Sequence, residues 1–196
     1  MPDRTAVVER RTAETTISLS LSLDGQGNAD VRTAVGFLDH MLSLFARHAW
    51  FDLKIQAAGD TQVDPHHSVE DVGICLGQAL AKALGDKKGI ARFGSARVPM
   101  DEALAEVVLD LSARPFLVCN LPSLPEKVGK YDSELTQDFL QALATNAGIT
   151  LHVNVPYGRN GHHVHEAVFK ALAKALAQAV AFEPREKGIP STKGVL

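Results

Sequence analysis

The stretches "DPHHSVEDVG" (Asp64–Gly73) and "RNGHHVHEAVF" (Arg159–Phe169) decide how this chain is read, because both contain His-His-x-x-Glu and both run into a long segment rich in Ala and Leu. Four of the eight histidines of a 196-residue chain are spent on two copies of one five-residue pattern. A single His pair is an ordinary solvated helix start, but two copies in matching contexts point to a duplicated unit.

The surroundings repeat as well. Working outward from the first copy, the apolar residues of His66–Leu84 recur at helical spacing through Val69, Val72, Leu76, Leu80 and Ala83. Phe51–Ala57 precedes it as a strand, and Gly36–Ala49 as a helix with Phe37, Leu38, Met41, Leu42 and Phe45 inward. Further upstream, Thr15–Leu23 alternates strictly, with Ile17, Leu19, Leu21 and Leu23 on one face. The turn Asp24–Asn28 then predicts a hairpin into Ala29–Ala34. After the second copy is placed as a helix over His162–Phe182, the same order appears before it. Strands are expected at Ala91–Val98, Leu104–Leu111 and Phe116–Asn120, a helix at Ser133–Ala147 and a strand at Ile149–Val155. Leu53 precedes His67 by 14 residues and Leu151 precedes His163 by 12, a difference confined to a loop. The expected fold is α+β: a single domain, residues 1–196, made of two pseudo-repeats, about 1–88 and 89–196. Each half is a mainly antiparallel or mixed four-stranded sheet covered on one face by two helices.

Bulk properties exclude several classes. The chain is 45% apolar and 22% charged with a net charge of −3, and its basic residues are scattered, which argues against nucleic acid as a partner. Lys170, Lys174 and Gln178 interrupt the apolar run Ala167–Phe182, which argues against a membrane partner. MPDRTAVVER has no apolar leader core, and the lone Cys75 and Cys119 read as reduced, buried thiols, so a cytoplasmic location is expected.

On a helix, residues three and four apart share a face, whereas neighbours diverge by about 100°. His66 or His67 therefore converges with Glu70, and His162 or His163 with Glu166. Each pair looks able to serve two different ions, with imidazole and carboxylate donors that suit manganese, iron or zinc. The His-Glu-x-x-His pattern of zinc proteases is absent, since Phe169 stands where its second His is required. His40 is a further candidate ligand, and His48 reads as a helix C-terminal cation.

These motifs match a known family. "GFLDHML", "ARHAWFDL", "DPHHSVEDVGICLGQAL", "GDKKGIARFG", "DEALAEVVLDLSARP", "GITLHV", "HHVHEAVFKALAKAL" and "IPSTKGVL" occur in the order and spacing of imidazoleglycerol-phosphate dehydratase, which the sequence resembles over essentially its whole length. The resemblance implies a lyase of histidine biosynthesis (EC 4.2.1.19) that dehydrates D-erythro-imidazole-glycerol phosphate to imidazole-acetol phosphate. It implies two Mn2+ per active site and a 24-subunit homo-oligomer with sites at subunit interfaces. Carried over residue by residue, the metal ligands are His40, His66, His67, Glu70, His162, His163 and Glu166, with Asp138 where the family usually has His. The substrate contacts are Glu14, His48, Arg92, Arg114, Lys170, Ser191, Thr192 and Lys193. Glu14, His40, His66 and Glu166 form the catalytic set. The implied chemistry runs through a substrate imidazolate that expels hydroxide, after which the neighbouring C–H becomes acidic and Glu14 transfers a proton. Aligning the halves through Leu53 and Leu151 sets Asp138 opposite His40, each 13 residues before its leucine. This favours Asp138 over His152 as the eighth ligand. Two rivals use the same ligands: a metal-dependent hydrolase of a phosphorylated small molecule, and a non-catalytic metal-storage shell, which leaves Glu14 and the STKG tail without a role.

Overall fold

The computed structural model describes residues 4–196. Its first half runs β1 (Thr5–Arg11), β2 (Thr15–Ser22), β3 (Ala29–Arg32), α1 (Gly36–Ala49), β4 (Asp52–Gly59) and α2 (His66–Leu84). The second half repeats it as β5 (Phe93–Met100), β6 (Ala103–Asp110), β7 (Phe116–Asn120), α3 (Leu135–Ala147), β10 (Thr150–Tyr157) and α4 (Gly161–Val180). A two-stranded ribbon, β8 (Lys127–Val128) and β9 (Tyr131–Asp132), is added before α3. The sheets have the orders β1-β2-β4-β3 and β5-β6-β10-β7, which are the same order in repeat terms. In both, the last pair, β3 with β4 and β7 with β10, is parallel and the others are antiparallel. The fold is the duplicated α+β arrangement read from the two motifs.

The hairpin expected between Thr15–Leu23 and Ala29–Ala34 does not form. β4 lies between β2 and β3, pairing Leu21 with Leu53 on one side and Val31 with Ile55 on the other. The connecting loop is tied to the start of β4, where the Asp52 carboxylate accepts from the N–H groups of Gln26 and Asn28, both at 2.9 Å. The turn residues signalled a reversal but not which strand the returning chain would join.

Alternation does its expected work on β2: Ile17, Leu19 and Leu21 are buried, and the serines between them are half-exposed. The helices form the middle of the molecule. α1 and α2 cover the first sheet, and α3 and α4 the second. α1 also packs on α4 and α2 on α3, so each half lays its helices against the other half's. The α2–α3 contact is close because α2 carries glycine twice where a side chain would not fit. A Cβ on Gly73 would sit 2.8 Å from the Phe139 carbonyl oxygen, and one on Gly77 2.8 Å from that of Leu143. One apolar cluster runs through both halves, including Leu38, Val72, Phe139 and Val168. Cys75 is buried and Cys119 half-buried, both as free thiols. No helix among the described residues is long and apolar enough to cross a membrane.

Candidate metal centre and anion site

Both His pairs sit in the first turn of a helix, and local hydrogen bonds put them there. The Asn160 side chain accepts from the N–H groups of His162 and His163, capping α4. Ahead of α2, the Asp64 carboxylate accepts from His66 N–H at 2.7 Å. Each pair then splits, as adjacent helical residues must. The rings of His66 and His67 are 81° apart in plane, and those of His162 and His163 are 78° apart.

His162 turns toward α1. There His40, His162 and Glu166 each present a ligand atom, all within 4.8 Å of one another. The two Glu166 oxygens divide their partners. Oε1 takes the Lys170 ammonium at 2.6 Å, while Oε2 faces His162 Nε2 at 3.2 Å and His40 Nε2 at 3.5 Å. Burial pushes the Glu166 carboxyl up, but Lys170 and His162 outweigh it and hold the group below its ordinary value. Two imidazole nitrogens and an ionised carboxylate oxygen in this arrangement fit a divalent ion of the manganese, iron or zinc class.

The duplication places a counterpart where α2 meets α3. His66 Nε2 lies 3.8 Å from Glu70 Oε2, and His66 Nδ1 lies 3.4 Å from Asp138 Oδ2. Asp138 thus stands beside His66, the place His40 holds beside His162. His152 is exposed on the outer face of the second sheet, opposite Val108 and Val118.

His67 and His163 turn the other way. His67 Nδ1 meets Asp60 at 3.1 and 3.2 Å, and its Nε2 is 3.8 Å from the exposed Glu14. His163 Nδ1 meets Glu102 Oε2 at 2.7 Å. Donating a hydrogen bond to Asp60 raises the pKa of the His67 imidazole, and donating one to Glu102 raises that of His163. The same His163 bond, helped by the Asn160 N–H, holds the Glu102 carboxyl at about 2.

The residues expected to meet the phosphate lie at the edge of the second sheet. Arg92 donates to both Asp110 oxygens, from Nε at 2.7 Å and Nη2 at 3.0 Å, and from Nη1 to the Pro190 carbonyl at 2.7 Å. Arg114 reaches the same carboxylate at 3.3 Å. Beside them a cavity of about 550 Å³ is lined by Arg92, Glu186, Ile189, Pro190, Ser191 and Thr192. Lys193 belongs to the same turn, its N–H donating to Ser191 Oγ. Lys170 and His48 sit elsewhere. Lys170 pairs with Glu166, and burial followed by the charges of Lys170 and Lys174 pushes the His48 imidazole down. The predicted residues therefore fall into several groups on one chain: His40 with His162, Glu166 and Lys170; His66 with Glu70 and Asp138; His67 with Glu14; His163 with Glu102; and the two arginines with the tail.

Three acidic residues in these groups escaped the sequence reading. Asp60 lies in no quoted motif, and Glu102 and Asp110 lie inside DEALAEVVLDLSARP with no spacing that singles them out; two of their partners are distant in sequence, since Glu102 meets a residue 61 positions on and Asp110 one 18 positions back. The buried His165 was also passed over, although it stands inside the second motif. Among the described residues neither of its ring nitrogens has a hydrogen-bond partner, and its ring packs on Phe37 and Tyr131.

The sequence profile of imidazoleglycerol-phosphate dehydratase matches residues 33–176. The imidazoleglycerol-phosphate dehydratase of Methylorubrum populi is 59% identical over 98% of this chain and 100% of its own length. That of Clostridium botulinum is 55% identical over the full length of both. The crystal structure of the Staphylococcus aureus enzyme superposes with a TM-score of 0.83 at 41% identity, covering 91% of this chain and 99% of that one. The Pyrococcus furiosus structure gives 0.84 at 35% identity, covering 96% and 100%. With the duplicated fold, the paired His–Glu clusters and this full-length similarity in agreement, the chain belongs to the imidazoleglycerol-phosphate dehydratase family, lyases of histidine biosynthesis.

Proposed function

We propose that the chain dehydrates D-erythro-imidazole-glycerol phosphate to imidazole-acetol phosphate with two manganese ions per active site, held by the His–Glu clusters. The observation that carries this reading is the convergence of His40, His162 and Glu166 within 4.8 Å. His66, Glu70 and Asp138 are the ligands proposed for the counterpart site, with His67 and His163 completing the two. Bound divalent cations favour deprotonated ligands, and here they would favour the electron-rich imidazolate form of the substrate ring.

The chain's own groups account for the rest. Dehydration breaks a C–O bond beside the ring and a C–H bond on the next carbon, and the resulting enol relaxes to the ketone. Glu14, exposed and 3.8 Å from His67 Nε2, would accept or return that proton. Arg92 and Arg114 would hold the phosphate, since guanidinium forks match its oxygens, with Ser191, Thr192 and Lys193 closing over it. Lys170 leaves Glu166 Oε2 directed at the two imidazoles, and His48 is proposed as a further substrate contact. Three ligand atoms fall short of a six-coordinate manganese sphere, which leaves positions for substrate and for ligands from a second copy. The proposal places composite sites between the subunits of a 24-subunit homo-oligomer in the cytoplasm.

The test is an assay on chelator-stripped protein with imidazole-glycerol phosphate. Ketone should form only after Mn2+ is restored, with no release of inorganic phosphate. Phosphate release without ketone would establish hydrolysis instead, and metal uptake without turnover would leave a storage protein.

A further inference from the structure

Asp60 and Glu102 lie outside the proposed ligand set, yet each meets the same atom of an outward-facing histidine: Nδ1 of His67 and Nδ1 of His163. An ionised carboxylate only accepts hydrogen bonds, so the ring nitrogen facing it carries the proton. In a neutral imidazole the other nitrogen then keeps its lone pair. The carboxylates on the far side, Glu14 and Asp101, are 3.8 and 3.7 Å from the Nε2 atoms, too far to compete for a proton through a hydrogen bond. We propose that Asp60 and Glu102 are positioning residues that fix His67 and His163 in the Nδ1–H tautomer, so that Nε2 is the atom each offers to a metal. The inference rests on the two-metal reading above.

The two carboxylates are not copies of one ancestral residue. Asp60 follows β4, and the repeat puts its counterpart after β10, where Gly158 stands. Glu102 comes from the turn between β5 and β6. Different loops have supplied the same partner to the same ring atom, an arrangement that recurs where histidines bind metals. As ordinary ion pairs on partly exposed side chains they would add little to stability.

Glu102 allows a sharp test because its other oxygen is also engaged. Oε1 accepts from the N–H groups of Asn160 at 2.8 Å and Arg159 at 3.2 Å. In Glu102→Gln the amide oxygen stays on those two donors and the amide NH2 faces Nδ1. The ring must then accept at Nδ1 and carry its proton on Nε2, which removes the metal-binding lone pair. Glu102→Ala merely frees the ring to exchange tautomers. If Glu102 served only to brace the loop before α4, alanine would do more harm than glutamine. Tautomer control reverses that order.

The experiment is calorimetric titration of the chelator-stripped full chain with Mn2+ alone, with thermal unfolding of each stripped variant as the check on folding. Glu102→Gln should weaken Mn2+ binding by about 10–100-fold, the usual cost of losing an outer partner of a ligand, and more than Glu102→Ala does. Asp60 provides an independent arm, since both its oxygens lie near Nδ1. Asp60→Asn can rotate its carbonyl oxygen into place and should stay within a few-fold, whereas Asp60→Leu should lose about tenfold. Alanine equal to or worse than glutamine at position 102, or unchanged affinity in Glu102→Gln and Asp60→Leu, would overturn the assignment. If the wild-type chain takes up no Mn2+, the two-metal reading falls and takes this inference with it, an outcome distinct from a wild type that binds beside unaffected variants.

Discussion

Glu166 and Glu70 hold the same place in the repeated motif and have different neighbours. Glu166 is 9% exposed, braced by Lys170 and aimed at two imidazoles; Glu70 is 49% exposed and 3.8 Å from its one nearby histidine. Four residues after Glu166 comes Lys170, and four after Glu70 comes Ile74. From the facing helix the Glu166 cluster has His40, and the Glu70 cluster has the shorter Asp138. One copy of the motif is thus organised within a single chain, while the other leaves its groups open. A duplicated ligand motif does not bring a duplicated environment; the residues one turn away decide how much of the site is assembled beforehand.

The largest effect should come from removing the two carboxylates. Glu166→Gln and Glu70→Gln should each lose metal and reduce turnover by more than about 100-fold, beyond the range typical of outer partners. The comparison adds a difference. Glu166→Gln strands the mostly buried Lys170 ammonium and should also lower the unfolding temperature of the stripped chain, which Glu70→Gln should leave nearly unchanged. Full metal occupancy in both variants, measured by elemental analysis, would remove the clusters from the metal assignment. Next in size is Glu14→Gln, expected to cut turnover by about 10²–10⁴-fold while metal content is retained. Near-normal turnover would hand the proton to another group.

The anion site offers a similar contrast on a smaller scale. Arg92 and Arg114 share Asp110, but the Arg92 side chain is 14% exposed and also holds the tail at Pro190, whereas that of Arg114 is 65% exposed. Arg92→Ala and Arg114→Ala should each raise KM by roughly 10- to 100-fold, the equivalent of a charge-assisted hydrogen bond worth about 1.5–3 kcal/mol. Only Arg92→Ala should also loosen residues 189–193, seen as faster proteolysis there. An unchanged KM in both would clear them of phosphate binding.

The smallest effect concerns His165, where the first half has Val69. Burial, with a contribution from His162, pushes this imidazole down to about 4. An unfolded histidine takes up its proton near pH 6.5. Between about 6.5 and 4 the unfolded chain therefore binds more protons, so stability is full above that window and is lost as pH falls through it. His165→Val should flatten the fall in melting temperature of the stripped chain between pH 7 and 5. An equally steep fall in the variant would place the acid sensitivity elsewhere.

Periodicity and repetition made most of this legible in advance. The α1 stripe of Leu38, Met41, Leu42 and Phe45 and the alternation of β2 are strong local signals, and the elements they predict exist with ends shifted by a few residues. β1 went unread because only Ala6 and Val8 are buried in a strand otherwise filled by polar and charged residues and the exposed Val7. The β8–β9 ribbon has two residues per strand, too few for any pattern. The β2–β3 hairpin failed for a different reason: strand order depends on which neighbour arrives later in the chain, and no turn encodes that. The candidate ligand histidines of the two motifs announced themselves by repetition. Their carboxylate partners Asp60 and Glu102 did not, because they meet the rings through tertiary contacts from separate loops.

The packing of α1 on α4 and of α2 on α3 has a consequence for how such a chain can arise. A half-length ancestor with one sheet and two helices would expose the helix faces that here are buried against the other half. Its stable form would be a symmetric pair, each copy presenting the same surface to the other. Joining two genes end to end would then change no contact; it would replace a concentration-dependent encounter by a tethered one and free each copy to diverge. Asp138 at the position equivalent to His40, and Ile74 at the position equivalent to Lys170, would be the record of that freedom. Fragments 1–88 and 89–196, expressed separately, should therefore be poorly folded alone and regain helical signal when mixed, and two independently folded fragments would contradict this history.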